Sequence, residues 1–445
     1  MPHQTPGMPR KRWRILAELV LVLAIATVAS LTIARAPAKQ AGDEANWLGT
    51  ARFFLVLFVR HDVSADSWPD THWTRTQPMI PRYIMGGWLW ARGYDYEGLD
   101  PDYDHRRKWF SNQAEGKAPS DAVLTEARIP MRALSVVAAV LLYGVVRVMA
   151  GPVGGAAAAL LYSGSPYLAL HLVRAMGEPP FVVFLLATLL VSLVAVKRGG
   201  SHAPSVGWGV LAGVLLGLAF ASKLTAVIAI LAILLWGAWA LLAGTLAGRL
   251  PVSWTAGQPS GRRSFVWAIG VVALAFVTFV LTNPFLYRDP IGRTALLFQN
   301  RQTEMAAQAE IDPSRAVTGL SQSLKLVWTN SLVEHTWTDS RLHLPIEAAL
   351  AVVGALWLLA RAVRPGPETM LLLWVLGFFG GVTVGLGYVL DHYFVPTAIM
   401  GLVLTGLTIG WSTRVAWSTT QRVRNRQRQP AAPAEGSGRV AVGAS

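Results

Sequence analysis

Residues 207–246 read GWGVLAGVLLGLAFASKLTAVIAILAILLWGAWALLAGTL, which is two apolar runs, 207–221 and 224–246, separated only by Ser222 and Lys223. A helix needs roughly 20 apolar residues to cross the hydrocarbon core of a bilayer, and the second run is long enough. A lysine between two such runs is costly in a membrane unless it serves a function. The stretch therefore predicts two membrane-spanning helices joined by a charged break.

The composition of the whole chain agrees with this stretch. The 445 residues are 53% hydrophobic and 14% charged, with a mean hydropathy of +0.41, whereas soluble domains are about one quarter charged. The chain has no Cys, which excludes disulfides and thiolate metal sites. Its net charge of +14 does not indicate nucleic-acid binding, because the basic residues do not alternate with aromatic ones on a soluble surface. The composition predicts a multispanning protein of the lipid bilayer.

Apolar runs repeat along the chain and predict about ten spans. A cytoplasmic N-terminus, 1–14, precedes a transmembrane domain over 15–412, and 413–445 is expected to be a disordered cytoplasmic tail. Two large external loops are expected at about 36–130 and 283–344. The predicted spans are 15–33, 131–149, 153–170, 180–196, 207–221, 224–246, 265–282, 345–362, 369–389 and 394–412.

The distribution of charge sets the orientation. Four basic residues precede the first run and only Arg35 and Lys39 closely follow it, so the N-terminus is predicted to be cytoplasmic. Glu18 inside that run favours an uncleaved span over a signal peptide. Apart from Glu18, only two of the 25 acids, Glu368 and Glu435, fall on the cytoplasmic side. We expect a plasma (inner) membrane protein whose chemistry occurs on the extracytoplasmic face.

The first external loop contains the earliest candidates for chemistry. Residues 47–58 are apolar but too short to span, and they predict an interfacial helix, while 94–108 predicts a solvated loop. Just before them lies the pair Asp43-Glu44. A carboxylate at the membrane surface is suited to act as general base or to bind a metal, and the alternative is a solvated acid pair.

The segment 76–86, TQPMIPRYIMG, resembles the (H/Q)PPL-x-(K/R)Y-L-x-G segment of the GT-C type glycosyltransferases that use polyprenyl-phosphate sugars. Protein O-mannosyltransferases and aminoarabinose transferases are members of that family. Met79 replaces the second proline, and His392 replaces an arginine of the family pattern. The four other segments that resemble the family, in its order, are LVRAMGEPPF at 172–181, GVLLGLAFASKLTA at 213–226, NPFLYRDP at 283–290 and HYFVP at 392–396.

This resemblance implies an all-α membrane fold, a GT-C-like bundle with interfacial helices in the first external loop. It also implies a membrane glycosyltransferase that moves a sugar, a hexose such as mannose, from a polyprenyl-phosphate donor to an acceptor hydroxyl. Our hypothesis for this reaction is a direct displacement with inversion. Protein, glycolipid and cell-wall glycan acceptors all fit. Loop 290–344 shows no motif that attaches it to a substrate.

The resemblance also assigns roles to residues. Asp43 corresponds to the general base, and a divalent metal at Asp43 and Glu178 is left open, with no other cofactor implied. The cations at positions 82, 174 and 223 are placed near the donor phosphate. The predicted substrate contacts are Glu44, Arg82, Arg174, Glu178, Lys223, Arg288, His392 and Tyr393.

Each of these residues also has a structural interpretation. Glu178 lies at the end of a span, Arg82 and Arg174 suit headgroup anchors, and Arg288 suits a loop cap. His392 and Tyr393 suit an interfacial aromatic belt.

The rival function is a lipid or glycolipid transporter or flippase without glycosyl transfer. A transporter typically places ionisable residues and broken helices near the middle of the membrane, often in two matching halves. Gly213, Gly217 and Lys223 are the nearest approach to a broken helix, but the sequence shows no internal repeat. An oligosaccharide transferase or a polymerase of lipid-linked sugars also fits the pattern.

Overall fold

The computed structural model describes residues 10–36, 39–200, 202–246, 260–334 and 336–428. Within these ranges the protein is helical and forms no β-strand, only one isolated bridge between Ala316 and Tyr388. The predicted all-α membrane fold is confirmed. The part of the predicted tail at 429–445 lies outside the described residues.

Eighteen described α-helices make up the fold, and they are numbered here in chain order. They are α1 (Arg10–Ala34), α2 (Gly42–Gly49), α3 (His72–Thr76), α4 (Ile80–Ala91), α5 (Trp109–Ala114), α6 (Asp121–Ala150), α7 (Pro152–Gly164), α8 (Pro166–Leu172), α9 (Glu178–Gly199), α10 (Val206–Phe220), α11 (Val227–Thr245), α12 (Gly261–Leu281), α13 (Pro290–Ile311), α14 (Leu320–Trp328), α15 (Trp337–Leu342), α16 (Ile346–Arg361), α17 (Pro367–Gly385) and α18 (Val395–Arg428).

Most residues of every predicted apolar run are helical in the structure. Seven helical segments of the described chain are long and apolar enough to cross a membrane: Ile15–Ala34, Asp121–Ala150, Glu178–Gly199, Leu224–Thr245, Gly261–Leu281, Pro367–Gly385 and Asp391–Arg422. The runs at α10 and α16 form shorter helices. The run predicted at 153–170 is divided into α7 and α8, because Ser165 caps a new helix that begins with Pro166.

The helices α9 and α18 form the centre of the bundle. Both are largely covered by neighbouring helices, whereas α1 lies at the edge and exposes apolar side chains such as Leu19 and Leu23. Small residues permit the close contacts: a Cβ on Gly154 of α7 would lie 2.4 Å from the carbonyl oxygen of Gly406 in α18. Close backbone approach at glycine is typical of helices packed in a membrane.

The first large loop folds into short helices instead of the single interfacial helix predicted over 47–58. Helix α2 ends at Gly49, and a separate π-helical turn follows over Leu55–Val59. At this point the backbone of Gly49 packs closely on Pro101, since a Cβ there would lie 2.6 Å from the Pro101 Cα, and the Thr50 hydroxyl donates to the carbonyls of Asn46 and Trp47 at 2.9 Å.

The tail prediction over 413–445 is corrected for its first part. Helix α18 continues to Arg428, beyond the predicted boundary at residue 412. The segment 413–428 contains no glycine or proline that would end the helix, and it includes five arginines, which are good helix formers.

Candidate active site

A cavity of about 710 Å³ lies where the first large loop meets the helical bundle. Its walls are formed by loop residues around α2 and α3, by the segment leading into α9, by the break between α10 and α11, by α13, and by the chain between α17 and α18. Segments distant in sequence therefore surround one space.

A buried ion pair forms one wall of the cavity. Glu178 is the first residue of α9, and Lys223 is the extended residue of the break after α10. The Lys223 Nζ lies 2.7 Å from Oε1 of Glu178, and Nε2 of His392 lies 3.9 Å from the same oxygen. The second oxygen, Oε2, is buried without a hydrogen-bond partner. The carboxylate thus retains an acceptor that a bound hydroxyl could satisfy.

Asp43 stands in the first turn of α2 and also lines the cavity. Burial raises the pKa of its carboxyl above the ordinary value, and the nearby charge of Glu178 raises the pKa further. His105, Arg174 and Arg301 act in the opposite direction, and His105 has the largest effect of these three. A half-buried carboxyl with a raised pKa holds a proton more strongly than a solvated one, which is a property of general bases.

Glu44, the next residue, faces away from the cavity. Its Oε1 accepts from Nε of Arg128 at 2.7 Å and from the backbone N–H of Ala175 at 2.8 Å, while its Oε2 accepts from Nη2 of Arg128 at 2.5 Å. It is fully buried. These bonds tie α2 to α6 and to the segment before α9. The contacts of Glu44 indicate a structural role, and its predicted contact with substrate stays a prediction.

Arg82 and Arg174 lie behind the cavity wall rather than on it. Arg82 is buried against the rings of Trp47 and Phe53, with its guanidinium carbon 5.8 and 5.5 Å from the two centroids. Burial lowers the pKa of Arg82 to about 9, and no described carboxylate is bonded to it. The Nε atoms of Arg82 and Arg174 are both buried without a partner.

Of the three remaining predicted substrate contacts, two line the cavity and one does not. His392 and Tyr393 line the cavity. Arg288 is exposed in the turn before α13 and does not line it.

Helix α13 supplies residues that the sequence did not single out. The Arg301 guanidinium donates to the Tyr393 hydroxyl and lies 3.0 Å from Glu304. Glu304 in turn lies 3.5 Å from Nε2 of His72 in α3. Lys223 and Arg301 both stand over the Tyr393 ring, 5.7 and 5.3 Å from its centroid.

A signal for these residues was present in the sequence. The cavity face of α13 includes Phe298, Arg301, Met305 and Gln308, which recur at the three- and four-residue spacing of one helix face. The prediction of an external loop over 290–344 did not include a helical face in this segment.

The cavity has an apolar part as well as a charged one. Ile228 at the start of α11, Val382 and Leu386 near the end of α17, and Phe298 of α13 line it together. A space lined by both charged and aliphatic side chains fits an amphiphilic ligand.

The described residues do not provide a divalent metal site. No three His, Asp or Glu side chains come together in the described ranges, and the Oε1 of Glu178 is already bonded to Lys223. Hard cations such as Mg²⁺ and Ca²⁺ take several oxygen ligands. The donor set does not fit such an ion, and no step below depends on one.

Comparison with known proteins supports the fold. The sequence profile of the dolichyl-phosphate-mannose-protein mannosyltransferase family matches residues 120–287. No match is found among curated protein sequences.

Two solved structures are similar to this one. The apo oligosaccharyltransferase of Archaeoglobus fulgidus superimposes with a TM-score of 0.55 at 13% identity, over 93% of this chain and 52% of that one. ArnT from Cupriavidus metallidurans, bound to undecaprenyl phosphate, superimposes with a TM-score of 0.53 at 15% identity, over 92% of this chain and 64% of that one. The chain spans about half the length of the archaeal protein. At these identities the likeness shows the fold, and the predicted GT-C membrane architecture is confirmed.

Proposed function

We propose that this chain, a member of the GT-C fold class, is a glycosyltransferase that takes a sugar from a polyprenyl-phosphate donor. The observation that carries the proposal is the cavity itself. It places the carboxylate of Asp43 and the cations Lys223 and Arg301 in one space with aliphatic walls. A lipid-linked sugar phosphate has the matching parts, which are an apolar chain, an anion and a polyhydroxyl group.

In the proposed reaction the acceptor hydroxyl attacks the anomeric carbon of the donor sugar directly, and the configuration inverts. The carboxylate of Asp43 accepts the hydroxyl proton as the new O–C bond forms. The bond between the anomeric carbon and the phosphate oxygen breaks, and its electron pair leaves with the phosphate. Lys223 and Arg301 stabilise this developing charge more than they stabilise the bound donor, which accelerates the step.

Glu178 has a positioning role in this proposal. Its Oε1 holds the Lys223 ammonium at 2.7 Å, so the cation is presented to the cavity in one orientation. Its unpartnered Oε2 is available to a hydroxyl of the sugar or of the acceptor. The residues behind the wall, Arg82 and Arg174, add positive charge near the phosphate.

The finer assignments extend the same proposal. The name of the matched family supports a mannose donor and a protein acceptor. The archaeal oligosaccharyltransferase has been solved with an inhibitory peptide and a dolichol-phosphate, which supports a peptide acceptor and a polyprenyl donor here. Glycolipid and cell-wall glycan acceptors also fit the reaction. The basic loops are predicted to lie on the cytoplasmic side, which supports an active site on the extracytoplasmic face of a plasma membrane.

The test measures sugar transfer by the purified protein after reconstitution into membranes, with a radiolabelled polyprenyl-phosphate hexose as donor. We expect Asp43→Asn to lower the transfer rate by roughly 10²–10⁴-fold, the usual cost of losing a general base, and to leave the fold intact. The matched control is Asp66→Asn, an exposed acid of the same loop, which should transfer at the wild-type rate.

Two outcomes would contradict the proposal. Equal transfer rates for Asp43→Asn and wild type would show that Asp43 is not the general base. Movement of the labelled lipid between leaflets by wild type, without any transfer, would favour a flippase instead.

A further inference from the structure

One aromatic side chain of the cavity wall, Trp73 of α3, has no part in the reaction proposed above. It is half-buried and lines the cavity. Trp68, five residues earlier, is a contrasting case, because it is only 2% exposed and stacks on Phe53 with centroids 4.9 Å apart. The Trp68 indole N–H donates to the backbone carbonyl of Asp62 at 2.9 Å. Trp68 thus stabilises the loop itself, whereas Trp73 keeps part of its ring surface available to a ligand.

The ring of Trp73 is held in place by its neighbours. Its indole N–H donates to Oδ1 of Asp102 at 3.0 Å, and the His72 imidazole packs against it at an angle of 83°, with centroids 4.7 Å apart. Helix α3, which carries both rings, is tied down by Thr74, whose hydroxyl donates to the carbonyl of Pro69 at 2.6 Å. A ring that is already fixed loses little conformational freedom when a ligand binds to it.

The loop that holds this ring runs along α2, the helix that carries the proposed base. A Cβ on Gly49, at the end of α2, would lie 2.6 Å from the Cα of Pro101. A Cβ on Gly42, at the start of α2, would lie 2.6 Å from Cε1 of Tyr103. Asp102 lies between these two contacts in sequence. The hydrogen bond to Asp102 therefore brings the tryptophan close to α2.

The polar neighbours of the ring indicate the chemistry of the ligand. Asp102 is exposed and uses only Oδ1 to bind the indole, and Glu304 of α13 lies 3.5 Å from Nε2 of His72. Both carboxylates and the imidazole line the cavity. Carboxylates accept hydrogen bonds from hydroxyls and repel phosphate. An aromatic ring with such neighbours fits a neutral pyranose, which has apolar C–H groups on its faces and hydroxyls around its rim.

We propose that Trp73 is a specificity-determining residue that stacks on a pyranose ring, while Asp102 accepts a hydrogen bond from one of the sugar hydroxyls. The inference rests on the glycosyl transfer proposed above and adds to it a subsite that orients a sugar. A sugar held on a fixed ring close to α2 has fewer orientations to search before it reacts. The donor sugar and a sugar of a glycan acceptor present the same C–H faces and hydroxyls.

Binding of methyl pyranosides tests this subsite apart from the reaction. The probes are the methyl pyranosides of mannose, glucose and galactose, which carry neither lipid nor phosphate, and saturation-transfer NMR on the full chain in lipid nanodiscs measures their dissociation constants. We expect Trp73→Ala to raise the dissociation constant of the best probe by roughly two- to tenfold, the usual worth of a well-placed aromatic contact beyond the area it buries.

Two further variants control this measurement. Trp73→Phe keeps an aromatic ring and should recover part of the affinity, and it replaces Trp73→Ala if that variant does not fold. Trp90→Ala changes a tryptophan of α4 that is 53% exposed and does not line the cavity, so it should bind the probe as wild type does.

Transfer kinetics then distinguish the two sources of the sugar. With a polyprenyl-phosphate hexose as donor, a higher KM in Trp73→Ala with kcat almost unchanged assigns the subsite to the donor sugar. An unchanged donor KM, together with weaker binding of the probe, assigns it to a glycan acceptor. A purely structural role would lower the melting temperature without either result.

Equal affinity of wild type, Trp73→Ala and Trp90→Ala for the probes, or no binding by any of them, overturns the inference. In that case transfer by wild type and its loss in Asp43→Asn would still support the glycosyltransferase. If wild type binds a probe through Trp73 but transfers no sugar from any hexose donor, the proposed function falls and the sugar subsite stands.

Discussion

Two ion pairs with buried carboxylates, Glu44–Arg128 and Glu178–Lys223, differ in which hydrogen-bonding atoms they leave without a partner. Both oxygens of Glu44 accept from Arg128, and the backbone N–H groups of Ala175 and Ala41 add two further bonds. Glu178 has Lys223 on one oxygen and nothing on the other. Only the second pair lines the cavity. The saturated pair joins segments of the fold, whereas the second pair keeps a hydrogen-bond acceptor without a partner beside the cavity.

The largest expected effect comes from breaking the saturated pair. Arg128→Ala leaves the fully buried Glu44 carboxylate without its cation, and loss of one partner from a buried pair typically lowers the free energy of unfolding by about 3–5 kcal/mol. Thermal and denaturant unfolding in detergent micelles would measure the loss. Arg106→Ala, at an exposed position, should be within the error of wild type. Similar stability of the two variants would show that the pair does not hold the loop to the bundle.

An intermediate effect is expected from Lys223→Gln. Glutamine can still donate to Glu178, so we expect the fold to be retained, while the charge toward the donor phosphate is lost. A hydrogen bond to a charged group is worth about 1.5–3 kcal/mol, which corresponds to roughly ten- to hundredfold weaker binding. The weaker binding would be measured as a higher concentration of undecaprenyl phosphate needed to raise the melting temperature. The control is Lys325→Gln, at an exposed lysine of α14. Equal affinity of Lys223→Gln and Lys325→Gln for undecaprenyl phosphate would show that the phosphate binds elsewhere.

The smallest expected effect is a shift in the pH dependence of the transfer rate. It extends the comparison to two adjacent acids, Asp43, which lines the cavity, and Glu44, which does not. Because the pKa of Asp43 is raised by burial, the base becomes protonated above the ordinary carboxyl range near 4. Transfer should therefore rise as pH increases through the raised pKa and be lost as pH falls through it. A raised carboxyl pKa means that the folded state binds this proton more tightly than the unfolded state, so acidification through that range does not unfold the protein on account of Asp43.

Rate and melting temperature measured on the same samples between pH 4 and 8 would separate the two effects. An acidic limb at or below pH 4 would contradict the raised pKa.

Much of the fold could be predicted because it depends on apolar run length. Most residues of each of the ten predicted runs are helical, and the break at Lys223 is where the two runs of 207–246 meet. The misjudged parts depend on contacts between distant segments. Nothing local to 47–58 shows that Pro101 will press on Gly49, and a break before Pro166 in an apolar run requires recognition of Ser165 as a cap.

The site was predicted less completely than the fold. Glu178, Lys223, His392 and Tyr393 meet in the cavity as a set, and the family resemblance placed them there without geometry. The different environments of Asp43 and Glu44 follow from helical geometry, since consecutive residues point about 100° apart, but which of them faces the cavity depends on where Arg128 lies.

The buried guanidinium of Arg82 has a consequence for the electric potential in the cavity. Its charge is separated from that space by the ring of Trp47, and an aromatic wall of low dielectric constant transmits an electric field that water would screen. With no described carboxylate bonded to it, this field is not cancelled locally. The Arg82 side chain does not reach the cavity, but its electric field does. An anionic lipid headgroup would therefore be drawn inward before it touches any cation, and dissolved salt would weaken that long-range attraction less than it weakens the attraction of exposed charges.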